Sequence, residues 1–347
     1  MIFFHEGNGY KGSVKLSVAY GGSRMLCLSL CYLLYTMLFR FVLLFSTRCK
    51  DTDNSRIDKK LFVLSDAIQI RTYFPCDTII ITIVRFCVMI SSVHSIKVVE
   101  RQYSTGEEPL LVLCSDMCEY VCKYARTNGA AYKLVSELIG SRLAQSWGLV
   151  TPPTSFVNIL SRHWHRAGQN GTLAFGSRRM EKVIDINQAT IGRIVPSRRT
   201  LYDLLNIALF DFWVANEDRN ANNANIMYDI EKNLLVSIDY GCIFNTAMYD
   251  YPMSQLTSTD TILASSLFSH IKKNYDVDVI ADEITGQFRD NLARCKETSK
   301  TIVKEIPVQW NVPVDFVVSK LSQLFDRGWC ESVVTNFNDC LIESINQ

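Results

Sequence analysis

Residues 216–239, NEDRNANNANIMYDIEKNLLVSID, constrain this chain more than any other stretch. Five asparagines and three acids fall within 216–229, after an apolar-periodic run that ends at Ala215 and before two short strand-like runs. Asn and Asp favour turns, so a solvated loop could share this composition. Spacing is what such a loop does not account for. Asp218 and Asn223 are five positions apart, and Asp239 ends an apolar strand and precedes Tyr240-Gly241. Phosphoryl transfer from a nucleotide uses such a set: one carboxylate orients the attacking hydroxyl, an Asn oxygen holds Mg²⁺, and a second Asp bridges Mg²⁺ to the β- and γ-phosphates. Mg²⁺ takes hard oxygen donors and keeps several waters, so one Asp and one Asn suffice. The pattern D-x-x-x-x-N followed by D-x-G is met by Asp218, Asn223 and Asp239-Tyr240-Gly241.

Phosphates also need a cation, and the cation needs a carboxylate behind it. Lys123 stands in the alternating run EYVCKY, and Glu137 follows fourteen residues later in the helical run 130–147. A surface lysine and an exposed helix glutamate would read the same in isolation. Both, however, precede the Asp/Asn loop in the required order. A direct ion pair across a strand–helix contact is expected, at the ~0–1 kcal/mol of an exposed pair.

Composition removes rival chemistries. With 36 Lys+Arg against 35 Asp+Glu, no uniformly basic surface exists and no nucleic-acid partner is expected. Twelve scattered cysteines without any C-x-x-C exclude paired zinc-finger spacing; Cys114, Cys118 and Cys122 read as small buried groups. Neither H-E-x-x-H nor G-x-S-x-G occurs, which removes the main zincin and α/β-hydrolase signatures. Arg162-His163-Trp164-His165-Arg166 reads as a solvated turn. Trp213, Trp310 and Trp329 read as core.

The first 94 residues differ in texture from the rest. Met25–Ser46 is apolar, with Arg40 its only charge. It is long enough to span a bilayer, although a mid-membrane arginine is costly. Thr78–Val93, interrupted by Arg85, reads as a strand or an irregular segment. Three readings stand for 1–94: a membrane anchor, a divergent folded extension, or upstream sequence ahead of a start at Met89. From Ser95 onward the pattern is that of an ordinary soluble domain. Strands are expected over 96–102, 110–113, 119–124 and 155–159, the first three in a small antiparallel sheet, with helices over 130–147 and 200–215. Short strands over 226–228 and 234–238 follow, then helices over 261–273, 279–304 and 313–345. The order gives an α+β arrangement in two lobes, 95–195 and 196–347.

EYVCK ending at Lys123, Leu134-x-x-Glu137, Pro152-Pro153, FDFWVANEDRNANNANIM and SIDYG together resemble the HipA-like kinase domain, a branch of the protein-kinase-like and phosphatidylinositol-kinase-like fold. The resemblance covers about Ser95 to Asp239 well and the helical tail loosely. It implies a bilobed fold, with a small β-rich N-lobe carrying one helix and a larger helical C-lobe. It also implies ATP and Mg²⁺ as cofactors and transfer to a protein Ser/Thr hydroxyl. The scattered cysteines suit a reduced, cytoplasmic protein, with anchoring through residues 25–46 as the alternative. Carried over by position, Asp218 is catalytic, Lys123 holds ATP with Glu137 behind it, and Asn223 and Asp239 bind Mg²⁺. Arg219 and Asn225 brace the loop. A lipid or small-molecule kinase and a non-catalytic binding scaffold are the alternatives. One departure is that no G-x-G-x-x-G precedes Lys123; Ser104-Thr105-Gly106 and Ser115–Cys118 are the substitutes, covering phosphates through backbone N–H groups. Phe175-Gly176-Ser177 matches a short family segment near the lobe boundary, without an assigned role.

Overall fold

The computed structural model describes residues 2–6, 13–19, 78–84, 92–100, 107–127 and 129–346. The chain divides into two compact units, Met1–Met89 and Ile90–Gln347. In the first, β1 (Ile2–Glu6), β2 (Ser13–Ala19) and β3 (Thr78–Val84) form an antiparallel sheet with β2 central. The apolar run 25–46 and Met89 lie outside the described residues, as do Ser104–Gly106. Among the described residues no helix is long and apolar enough to cross a membrane.

In the second unit five strands close into a barrel: β4 (Ser92–Glu100), β5 (Leu110–Cys114), β6 (Glu119–Lys123), β7 (Thr154–Ile159) and β8 (Thr172–Arg178), in the order β4-β5-β6-β8-β7. Every pairing is antiparallel except the parallel closure of β4 on β7. The small sheet expected from the sequence is therefore closed, and closure removes exposed edges. Strand β8 escaped the pattern reading because Ala174-Phe175-Gly176 is buried continuously rather than alternately. Its glycine has a steric cause: a β-carbon on Gly176 would lie 2.7 Å from Val157 Cγ2. Phe175-Gly176-Ser177 is thus the middle of a barrel strand.

Leu110, Val112, Cys122, Val157 and Ile159 fill the barrel together with Trp164. Trp164 is 6% exposed and sits edge-on to Tyr124 at 4.6 Å between ring centroids. The expected solvated turn at 162–166 therefore drives its tryptophan into the core, while Arg162 and His165 stay near solvent. Along β6, Tyr120 and Cys122 point inward, and Glu119, Val121 and Lys123 take the other face. The two-residue period of a strand thus turns Lys123 away from the barrel interior. Cys114 and Cys122 are buried and Cys118 is half-buried, all as free thiols.

Helix α1 (Tyr132–Trp147) ends at Gly148, whose φ of 102° suits a left-handed cap. Helix α2 (Arg198–Val214) begins with a capping box: Ser197 Oγ accepts from the Thr200 amide at 3.0 Å, and Thr200 Oγ1 accepts from the Ser197 amide at 2.9 Å. Strands β9 (Val183–Asp185), β10 (Ile226–Asp229) and β11 (Leu234–Ser237) form a separate antiparallel sheet in the order β11-β10-β9.

The three tail helices expected from periodicity are each broken. Two single 3₁₀ turns precede α3 (Ser266–Ile271); α4 (Val277–Gly286) and α5 (Phe288–Glu305) part at Gln287. Helices α6 (Val314–Leu324) and α7 (Arg327–Asn346) part at Phe325-Asp326. Asp326 Oδ1 accepts from the Trp329 amide at 3.0 Å, which starts α7 afresh. Trp213 and Trp310 are fully buried, whereas Trp329 is half-buried and donates Nε1–H to the Trp213 carbonyl at 3.0 Å.

Candidate active site

Lys123 sits at the end of β6, where the alternation aims it at α1. Its ammonium pairs with Glu137 Oε1, with Asp239 Oδ1 at 2.6 Å and with Glu107 Oε2 at 3.0 Å. Burial pushes the ammonium's pKa down, but the three carboxylates, Glu137 foremost, hold it well above its ordinary value. Glu137 lies on the buried side of α1, and its second oxygen accepts the Tyr240 backbone N–H at 3.0 Å. One turn further on, Gly140 lets α1 approach this segment closely: a β-carbon there would lie 2.7 Å from Tyr240 Cγ. Asp239 follows β11 with φ of 61°, a left-handed conformation that costs a non-glycine residue energy and is found at functional sites. Burial raises Glu137 above the usual carboxylate range. Asp239, also pushed up by burial, is pulled down overall by Lys123. Burial outweighs the ammonium at Glu137, and the ammonium together with hydrogen bonds outweighs burial at Asp239.

The end of α2 delivers the Asp/Asn loop. Ala215 turns left-handed at φ 50°, and the Asn216 amide returns to the Asp211 carbonyl at 3.0 Å. Arg219 is fully buried and anchors the loop. Its guanidinium donates to Asp211 Oδ1 and to the Ile238 carbonyl at 2.8 Å, and it lies 5.4 Å from the Tyr240 ring centroid. Asp218 is left half-buried, its Oδ2 accepting from the side-chain amides of Asn223 at 3.1 Å and Asn225 at 2.9 Å. The Ile238 amide donates to the Asn225 carbonyl at 3.1 Å, so the residue before Asp239 is stitched to the loop that carries Asp218. Burial, with the charges of Asp218 and Asp239 added, pushes the Cys242 thiol up to about 12.

Lys123, Glu137 and Asp239 thus form one ionic group, and Asp218, Asn223 and Asn225 a second, with Arg219 and Ile238 between them. The sequence reading missed three participants. Glu107 lies in the β4–β5 connection and carries no motif. Asp211, the partner of Arg219, hides in the apolar run FDFWV. Glu217 accepts from Asn245 Nδ2 at 2.7 Å and Thr246 Oγ1 at 2.9 Å, holding the segment after Gly241, where Phe244–Ala247 all have positive φ. Ser115–Cys118 turns between β5 and β6 at the opposite end of β6 from Lys123, five residues and about 16 Å of strand rise from Cys118.

The Lys123–Glu137 pair is not the exposed pair expected, since Glu137 is 3% exposed. Glu137→Ala leaves Lys123 with two other carboxylates but orphans the Tyr240 amide. A stability loss of ~1–3 kcal/mol is expected from that unsatisfied group, read as a lower urea midpoint with an unchanged m-value. An unshifted midpoint would show that Glu137 has no structural share.

A family model described as HipA-like kinase matches residues 96–328. Several solved structures are similar at low identity. The Shewanella oneidensis MR-1 toxin–antitoxin complex of HipA, HipB and operator DNA is 12% identical, with 85% of this chain and 83% of that chain covered and a TM-score of 0.41. The Helicobacter pylori proinflammatory kinase CtkA is 11% identical, with 74% and 100% covered and a TM-score of 0.42. The Golgi casein kinase with Mn/ADP bound is 10% identical, with 74% of each chain covered and a TM-score of 0.38. No curated protein matches the chain.

Proposed function

The chain belongs to the HipA-like kinase family, and from that premise we propose that it transfers the γ-phosphoryl group of Mg²⁺-ATP to a protein Ser/Thr hydroxyl. The observation that carries this reading is the Lys123 ammonium shared between Glu137 of α1 and Asp239 beyond β11. In this reading the barrel with α1 is the small lobe and the helical remainder the large one. The protein works in the cytoplasm on a protein partner, without nucleic acid.

The residues fit a divalent cation. Asp239 and Asn223 offer hard oxygens, and the Asn223 amide nitrogen is engaged on Asp218, which leaves its carbonyl oxygen as a donor. Carboxylate oxygens of Glu107, Glu137 and Asp239 also lie within 4.8 Å of one another beside the Lys123 ammonium, a cluster of hard donors. Mg²⁺-ATP, when bound, supplies the phosphoryl group and neutralises charge on its oxygens. Lys123 holds the phosphates, and Glu137 keeps Lys123 in place. Asp218, oriented by Asn223 and Asn225, aligns the acceptor hydroxyl and takes its proton. Arg219 holds that loop against Ile238 and Tyr240. Catalysis then rests on positioning and preorganised charge.

The test is incubation of the full chain with Mg²⁺ and γ-labelled ATP together with acceptor proteins and, separately, phosphoinositide vesicles, followed by phosphoamino-acid analysis of the proteins and lipid extraction of the vesicles. Labelled phosphoserine or phosphothreonine is expected. Label confined to phosphoinositide vesicles would move the reading to a lipid kinase, and ATP binding without transfer to a binding scaffold.

A further inference from the structure

Lys133 plays no part in the site as described, yet it stands in the first turn of α1, within reach of the group that holds Lys123. One carboxylate joins the two lysines: Glu107 Oε2 lies 3.0 Å from Lys123 Nζ, and Glu107 Oε1 lies 2.9 Å from Lys133 Nζ. Each oxygen takes one ammonium. Two non-bridging oxygens of a phosphate have nearly the spacing of two carboxylate oxygens, so the same pair of ammoniums suits a phosphate. A cavity of about 410 Å³ opens here, lined by Lys123, Lys133 and Glu107 together with Thr246 and Ala247. The α1 N-terminus beside it has no side-chain cap.

We propose that Lys133 and Lys123 form a two-lysine clamp for a nucleotide phosphate, and that in the free protein the Glu107 carboxylate occupies it. This rests on the nucleotide-binding reading above. Glu107 is displaced when the nucleotide enters, because the ammoniums cannot pair fully with both anions. Displacement breaks the Glu107 pairs with Lys123 and Lys133, and the nucleotide phosphate takes up both ammoniums in its place. Glu107 and Lys133 are partly exposed, and so is the next residue, Glu108, which contacts Arg126 at 3.5 Å and Arg166 at 3.6 Å; such exposed pairs are individually weak. Glu108 is also held at φ 47°, so the segment is not in a relaxed conformation where it lies.

Calorimetric titration of the full chain with Mg²⁺-ATP tests the clamp in four proteins: the parent, Glu107→Gln, Glu107→Gln with Lys133→Gln, and Glu107→Gln with Lys133→Arg. Removing the competing carboxylate should tighten binding by about tenfold, the scale of one charge-assisted contact. Adding Lys133→Gln should then weaken binding by a similar factor, and Lys133→Arg should restore most of it. A purely structural Lys133 would not give that rescue at an unchanged melting temperature. Tighter binding by Glu107→Gln with loss and rescue at Lys133 supports the clamp. If the parent binds but Glu107→Gln binds equally or more weakly, or if Lys133→Gln changes nothing, the clamp is overturned and the nucleotide site stands. If none of the four binds, the nucleotide site fails and the clamp with it.

Discussion

Asp239→Asn is expected to weaken Mg²⁺-dependent ATP binding and to abolish phosphate transfer, whereas Asp218→Asn is expected to spare binding and lose transfer alone. The difference follows from position. Asp239 contacts Lys123 directly, and its carboxyl is held low by that ammonium, so it is ionised and available to a cation. Asp218 accepts instead from the amides of Asn223 and Asn225, and among the described residues no ion pair to Lys123 involves it. Asp218→Asn should keep Mg²⁺-ATP affinity within about fivefold, a change below ~1 kcal/mol. Its transfer rate should fall by about 10²-fold or more, the scale of a positioned acid–base group. ATP titrations with and without Mg²⁺, alongside a transfer assay, separate the two. Equal loss of nucleotide affinity in both variants would refute the division of roles.

Arg219→Met should destabilise the domain by ~3–5 kcal/mol, because it strands the Asp211 carboxylate in the core without its partner. Arg219 and Asp211 are both at most 1% exposed, and burial already pushes the Asp211 carboxyl up against the pull of Arg219. A loss of that size is a large share of the ~5–15 kcal/mol that keeps a domain folded. Pairing Arg219→Met with Asp211→Leu should recover much of the stability, since no charge is then left buried. Transfer should stay low in the double variant, because the Arg219 bond to the Ile238 carbonyl is lost and only the Ile238–Asn225 backbone bond then links the Asp218 loop to Ile238. Urea denaturation of both variants reads the first effect and the transfer assay the second. Recovery of transfer together with stability would show that Arg219 only fills space.

What the sequence determined by itself is local. The spacing of Asp218, Asn223 and Asp239 and the alternation that turns Lys123 off the barrel face are set by short-range geometry, and so are legible from residue order. The strand–helix order that brings Glu137 after Lys123 is equally legible. The tertiary structure decided how buried these groups are and what else reaches them. Glu137 reads as an exposed helix position until Gly140 allows α1 to close on Tyr240. Trp164 reads as a turn residue until the barrel offers it a core to fill. The closure of β4 on β7 and the reach of Glu107 to Lys123 and Lys133 depend on contacts between distant segments, which no local period encodes. The tail helices break for a related reason: periodicity records a continuous apolar face but not the new cap at Asp326. Local pattern fixes which atoms a segment presents and in which direction. Only the packed chain fixes what they meet, because burial and charge pairing are set by neighbours that fold in from elsewhere.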